Sequence, residues 1–181
     1  LCSLLMLAVF AGMIWYLADY VSSNQEALFN NSYNSQQRVL AQENTRGTIY
    51  AGTGEVLAQT VIAEDGTSVR EYPYKNIFAH VVGYTDKGKT GIEELENYQL
   101  IHSDISDREK LDHELAGEKN PGNDVYTTLD TSLQQAASDA LGLYRGAIVV
   151  TEVKTGRVLA MVSKPDYDPN KIAENWETLS T

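Results

Sequence analysis

The chain has 181 residues with 25 acidic and 14 basic side chains, and its formal net charge of -11 disfavours nucleic acid or an anionic membrane surface as a partner. That length holds one medium domain or two small ones. Its one cysteine, Cys2, leaves no disulfide within the chain.

The first element is apolar. Leu1 to Leu17 carries no charge and ends on Trp15 and Tyr16, where an interfacial aromatic belt would lie, so residues 1–20 read as a transmembrane anchor. At about 1.5 Å per residue the uncharged run is slightly short of a hydrocarbon core. The chain opens on Leu instead of Met, and an upstream portion is therefore expected. No Lys or Arg lies between this run and Arg38, whereas Asp19 and Glu26 do, which places the remainder on the non-cytoplasmic side. A cleaved signal peptide ending near Val21-Ser22-Ser23 is the rival reading. A buried core helix fits less well, because the run has no polar face. Cys2 precedes the run and does not look like a lipidation site. Residues 21–45 include the polar stretch Asn30 to Gln37, read as a stalk or helix extension.

A folded region begins at Arg46. Arg46-Gly47-Thr48-Ile49-Tyr50, a turn at Ala51-Gly52-Thr53-Gly54 and Glu55-Val56-Leu57-Ala58 form a hairpin pattern. Arg70-x-Tyr72-Pro73, His80-Val81-Val82-Gly83-Tyr84 and Gly91-Ile92-Glu93 follow. His80, in a Val-rich strand pattern, reads as a satisfied structural histidine. Ser106 and Glu109 have capping-box spacing, which predicts a helix with Leu111 and Leu115 facing inward and its acids in water. His102 and His113 lie amid those acids, and the solvated face is a stronger reading than a metal site.

The stretch from Gly122 to Asn170 is the most ordered in pattern. After Val125-Tyr126, Asp130 or Thr131 is a natural N-cap, and Thr131 and Gln134 have capping-box spacing. Leu133, Ala136, Ala137, Ala140 and Leu141 then make one apolar stripe, ended near Gly142. Ala147 to Val150 and Val158 to Val162, joined by Lys154-Thr155-Gly156, predict a hairpin apolar on both faces and so covered on both sides. Without such cover this part would be loosely ordered or aggregation-prone. Pro165-Asp166-Tyr167-Asp168-Pro169-Asn170 closes the series as a proline-bracketed loop.

In this order the segments resemble class B penicillin-binding proteins, over roughly Asn30 to Asn170. Arg46-Gly47-x-Ile49 with Leu57-Ala58 is similar to the opening of their pedestal, as are Asn31-Ser32-Tyr33-Asn34 and the motifs after it. The run from Gly122 is similar to the start of their transpeptidase domain. One departure is plain: Ala51-Gly52-Thr53-Gly54 stands where many members have Asp-Arg-Asn-Gly, so any salt bridge of that turn does not carry over. The resemblance implies an α+β fold, with a transmembrane helix, a mixed pedestal at 46–123, and the first helix and hairpin of a transpeptidase domain at 124–181. The family motif residues here are Arg46, Gly47, Arg70, Tyr72, Pro73, Gly83, Gly91, Ile92, Glu93, Asp130, Gly146 and Gly156.

What the resemblance implies for function is a parent serine D,D-transpeptidase, cross-linking peptidoglycan stem peptides through an acyl-enzyme that β-lactams trap, with no metal or cofactor. It also implies a bacterial membrane location, single-pass with the bulk outside, and a membrane glycan polymerase and other cell-wall assembly proteins as partners. Alternatives are a membrane-bound β-lactam sensor and a non-catalytic scaffold. Lys89-Thr90-Gly91 and Lys154-Thr155-Gly156 spell that family's last signature, but both fall at turns. No serine has a lysine three residues on, and Ser22-Ser23-Asn24 lies beside the apolar run. No catalytic residue is assigned; the Ser-x-x-Lys, Ser-x-Asn and Lys-Thr-Gly set is expected beyond Thr181. Asp166, Asp168 and Asn170, with Glu177, have EF-hand spacing, yet Lys171 stands where that loop needs glycine, so a structural turn is the better reading.

Overall fold

The computed structural model describes residues 2–29, 35–63 and 67–179, and the chain divides into two compact units, residues 1–38 and 39–181. In the first unit α1 (Cys2–Ser23) is a continuous 22-residue helix of mean hydropathy 1.8 with no buried residue. At about 1.5 Å per residue it is long and apolar enough to cross a membrane. It runs past Asp19, so the helix outlasts the uncharged run. After α2 (Gln25–Phe29), residues 30–34, and with them the Asn31-Ser32-Tyr33-Asn34 motif, lie outside the described residues. The rest of the polar stretch opens α3 (Gln36–Glu43).

The second unit is built on a four-stranded sheet. Strands β2 (Ile49–Tyr50), β3 (Val56–Ile62), β4 (Ser68–Glu71) and β6 (Val125–Tyr126) lie in the order β4-β3-β2-β6. The expected Arg46–Ala58 hairpin is present: β2 and β3 are antiparallel with Ile49 opposite Ala58, and Gly54 takes a left-handed φ of 97° in the turn. β2 also pairs in parallel with β6, bringing a segment 76 residues later in the sequence against it. Below this edge β1 (Asn44–Thr45) pairs in parallel with β5 (Asn120–Pro121). The two ends of the region cross tightly there: a Cβ on Gly47 would sit 2.0 Å from the Asn123 carbonyl oxygen. Only glycine fits.

Short helices cover one face of the sheet: α4 (Ala79–Val82), α5 (Gly91–Leu95) and α6 (Asn97–Ile101). The core gathers Ile49, Leu57, Tyr72, Phe78, Val82, Leu100 and Leu129. His80 lies on α4 and not on a strand; it is satisfied as expected, its Nε2 2.8 Å from the Pro165 carbonyl oxygen and its ring edge-on to Tyr167. Helix α7 (Asp107–Ala116) begins at the expected Ser106–Glu109 capping box. It buries nothing, however, and Leu111 and Leu115 are exposed. A good cap forms the helix without deciding what its apolar side meets.

Helix α8 (Thr131–Leu141) starts on Asp130, whose carboxylate accepts from the Leu133 N–H, and ends at Gly142. The buried side is not the all-apolar stripe. Gln134, Ala137 and Ser138 face inward, while Leu133, Ala136 and Ala140 are exposed. Gln134 does not close a capping box with Thr131: its amide donates 2.8 Å bonds to the carbonyls of Ile77 and Met161 and accepts from the Met161 N–H. Three backbone groups of two other segments override the local pattern. The strands β7 (Gly146–Thr151) and β8 (Val158–Lys164) form the expected antiparallel hairpin, turned through Lys154-Thr155-Gly156. Ala160 and Val162 point under α8, whereas the paired Val149 and Met161 on the opposite face are exposed. Cover is thus one-sided among the described residues. A short 3-10 turn (Pro169–Lys171) and α9 (Ile172–Leu179) complete the chain.

Candidate functional site: a buried arginine–glutamate–arginine cluster

Three of the singled-out residues, Arg46, Arg70 and Tyr72, converge on the carboxylate of a fourth, Glu93. Glu93, on α5, has no exposed surface, and its two oxygens are taken by arginines from different segments: Arg46 Nε lies 2.6 Å from Oε2 and Arg70 Nε 2.8 Å from Oε1. Arg46 uses the rest of its fork on backbone and side-chain oxygens, and Arg70 uses its Nη1. Arg46 donates to the Glu93 carbonyl at 2.6 Å and the Asn97 side chain at 2.8 Å, and Arg70 to the Gly47 carbonyl at 2.7 Å. Thr60, on β3, donates to the Arg46 carbonyl and accepts from Arg70. Tyr72 completes the ring, its hydroxyl 3.3 Å from Glu93 Oε1. The cluster joins the chain before β2, strand β4 and helix α5 at one point.

Electrostatics follow from the burial. Two guanidinium groups share one carboxylate, so the group carries a net positive charge in a largely buried place where water offsets it only in part. Burial is the largest influence on Arg46 and lowers its pKa, with Arg70 pushing the same way and Glu93 opposing. Burial first and the Glu93 charge second hold the Tyr72 phenol well above its usual value, so it stays a neutral donor. Lys89, at the rim, is lowered by partial burial and by Arg46.

Backbone geometry places Glu93. Gly83 and Gly91 are pressed together where α4 meets α5, both with left-handed φ (85° and 61°). A Cβ on Gly83 would lie 1.9 Å from the Thr90 carbonyl oxygen. Ile92 packs half-buried against the core beside them. Pro73 opens the turn in which the Lys75 N–H bonds to the Tyr72 carbonyl. Arg46, Gly47, Arg70, Tyr72, Gly83, Gly91, Ile92 and Glu93 therefore serve one structure. Asp130 caps α8, Gly146 opens β7, and Gly156 (φ 75°) turns the β7–β8 hairpin.

Sequence reasoning missed the partners of these residues. Asn97 and Thr60 carry no pattern that marks them. Asn170, expected in a structural turn, has a side chain that accepts from the Tyr72 N–H at 2.9 Å and donates to the Tyr72 carbonyl at 3.0 Å, pairing like a strand residue. Asp168 holds that amide at 3.0 Å, and Asp166 accepts from Asn76. The three residues with EF-hand spacing are thus spent on a structural turn that fastens the chain after β8 to Tyr72, as does the Tyr167 hydroxyl on the Ala79 carbonyl. Lys89-Thr90-Gly91 leads into α5, and Lys154-Thr155-Gly156 lies in the hairpin turn, so neither lies on a strand as that family's signature does.

A charge-locked small sheet is followed by a capped helix on a hairpin. Residues 46–125 match the family model described as the penicillin binding protein A dimerisation domain, and residues 146–181 that of the penicillin binding protein transpeptidase domain. The chain belongs to the penicillin-binding proteins. It is 41% identical to the peptidoglycan D,D-transpeptidase PbpA of Mycolicibacterium smegmatis, with 79% of this chain and 33% of that protein covered. It is 34% identical to MrdA of Escherichia coli, covering 58% of this chain and 22% of that one. Among solved structures it resembles penicillin-binding protein A from M. tuberculosis in its imipenem acyl-enzyme complex, with a TM-score of 0.66, 34% identity, and coverage of 76% of this chain and 35% of that one. A D,D-transpeptidase domain from Eggerthella lenta gives 0.63 at 39% identity, covering 76% and 30%. The chain thus spans about a third or less of the length of these relatives.

Proposed function

We propose that the chain is the membrane-anchored pedestal portion of a class B penicillin-binding protein that cross-links peptidoglycan stem peptides by serine D,D-transpeptidation. The observation that carries this reading is the Arg46–Glu93–Arg70 cluster: the residues of the successive pedestal motifs build one buried lock inside the span that matches the dimerisation domain. The anchor occupies 1–20, a stalk 21–45, the pedestal 46–123 and the transpeptidase start 124–181, with the bulk outside the cytoplasm. Strand β6 (Val125–Tyr126) lies on the pedestal sheet, which makes the seam between the last two a shared one.

The pedestal's role in this reading is mechanical. Asn170 on Tyr72, Tyr167 on Ala79, His80 against Pro165 and Gln134 on Ile77 tie the first elements of the catalytic domain to it through side chain-to-backbone bonds. The acylating serine, its lysine and the oxyanion hole lie in sequence beyond Thr181, where stem peptides and β-lactams would bind. A membrane glycan polymerase is the natural partner of such a protein.

Acylation needs an activated serine, and no serine here is followed by lysine at the third position. The 181-residue chain is therefore expected to give no covalent band with a fluorescent penicillin on denaturing gels, while the same protein extended through a Ser-x-x-Lys segment labels. A labelled band from the 181 residues alone would overturn the placement, and an unlabelled extended protein would favour the scaffold reading.

A further inference from the structure

The charge cluster does not end at Glu93. Beside it opens a cavity of about 240 Å³ whose wall includes Arg46, Arg70, Lys89 and Lys119, with hydroxyls from Thr60 and Ser68, and none of the residues lining it is acidic. A second cavity, of about 330 Å³, shares Arg46, Thr60 and Lys119 with the first. In a chain of net charge -11, four of 14 basic residues meet here.

The balance inside is unfavourable as it stands. Glu93 offsets one of the two arginines, and Glu94 acts on Lys89 from the next position of α5, but the cavity wall retains an excess of positive charge. Arg70 is the sharper sign: its side chain is only 8% exposed, and its buried Nη2 has no acceptor among the described residues. A buried guanidinium donor without an acceptor costs free energy, and Arg70 is one of the residues that line the cavity. Partial burial, and after it the Arg46 charge, lower the Lys89 pKa, with Glu93 and Glu94 opposing.

We propose that this cavity is an anion-binding site of the pedestal, taking a small ligand that carries a carboxylate or phosphate group. The forked arginines set the class of ligand, since planar guanidinium groups match the oxygens of carboxylate and phosphate. Size points to a compact group: the cavity falls below the roughly 300 Å³ at which sites for drug-sized ligands begin. Lys89 and Lys119, both exposed, stand at the mouth and attract the anion, while the arginines hold it.

The test is calorimetric titration of the detergent-solubilised full chain with inorganic pyrophosphate and, separately, citrate, at constant ionic strength set with potassium chloride. Saturable binding of at least one is expected, weakened about tenfold or more in the Lys89→Gln/Lys119→Gln double variant. Both lysines are exposed, so the variant should keep the parent's melting temperature without ligand. Pyrophosphate binding alone would assign a phosphate group, citrate alone a carboxylate. Heats no larger than those of potassium chloride for both probes, or equal affinity in parent and variant, would overturn the site.

Discussion

At the scale of single residues, Glu93 is the hinge of the structure's electrostatics. Among the described residues it is the one carboxylate paired with the two buried arginines, so Glu93→Gln keeps the shape and removes the charge. Breaking a buried network of this kind costs about 3–5 kcal/mol. Urea unfolding of the full chain in detergent should show that loss, and a change within about 0.5 kcal/mol would mean the arginines are compensated otherwise. Tyr72 provides a pH test. Its pKa is raised by burial and by Glu93, so the stability it contributes is complete below the unfolded tyrosine value of about 10 and is lost as pH rises beyond it. Tyr72→Phe should be less stable than the parent at pH 7 by about 1 kcal/mol, for the lost 3.3 Å bond, and the gap should shrink or reverse near pH 11. A gap independent of pH would show that the phenol titrates normally. Arg46, Arg70, Tyr72 and Glu93 each stood out in the sequence. Their meeting did not, because 47 residues separate Arg46 from Glu93 and no local pattern encodes such a contact.

At the scale of elements, helix α8 shows where periodicity stops being sufficient. Its limits follow from Asp130 and Gly142 and were legible. Its orientation was not, because counting apolar positions favours Leu133, Ala136 and Ala140, whereas Gln134 supplies three hydrogen bonds that no apolar side chain can. Gln134→Leu is therefore expected to destabilise the fold although it makes the buried side more apolar. Leaving the Ile77 and Met161 groups unpaired costs about 1–3 kcal/mol each where they stay dry. Thermal melting of the variant measures it, and an unchanged or raised melting temperature would show that water replaces the amide. The exposed Leu111 and Leu115 of α7 make the same point from the other side. A capping box is local chemistry, and burial is not.

At the scale of the whole molecule, the chain combines an apolar helix with an acidic folded unit in which four of the 14 basic residues gather around Glu93 and its cavity. The 22 residues of α1 are long and apolar enough to cross a membrane, and the proposed topology puts the folded unit outside, in keeping with the lack of Lys and Arg between Leu17 and Arg38. A reporter active only outside the cytoplasm, fused after Thr181, should be active in cells, with its cytoplasmic counterpart silent. The reverse pattern would overturn the topology. The β7–β8 hairpin packs against α8 on one side, and its other face, with Val149 and Met161, is open.

The sequence by itself determined the apolar helix, the two hairpins, the caps of α7 and α8 and the order of motifs that marks the family, because each depends on residues a few positions apart. Tertiary structure alone decided what those motifs are for. The parallel pairing of β2 with β6, the crossing at Gly47 and the ion cluster on Glu93 join segments tens of residues apart, and their energies depend on burial and charge compensation, which only the assembled fold defines.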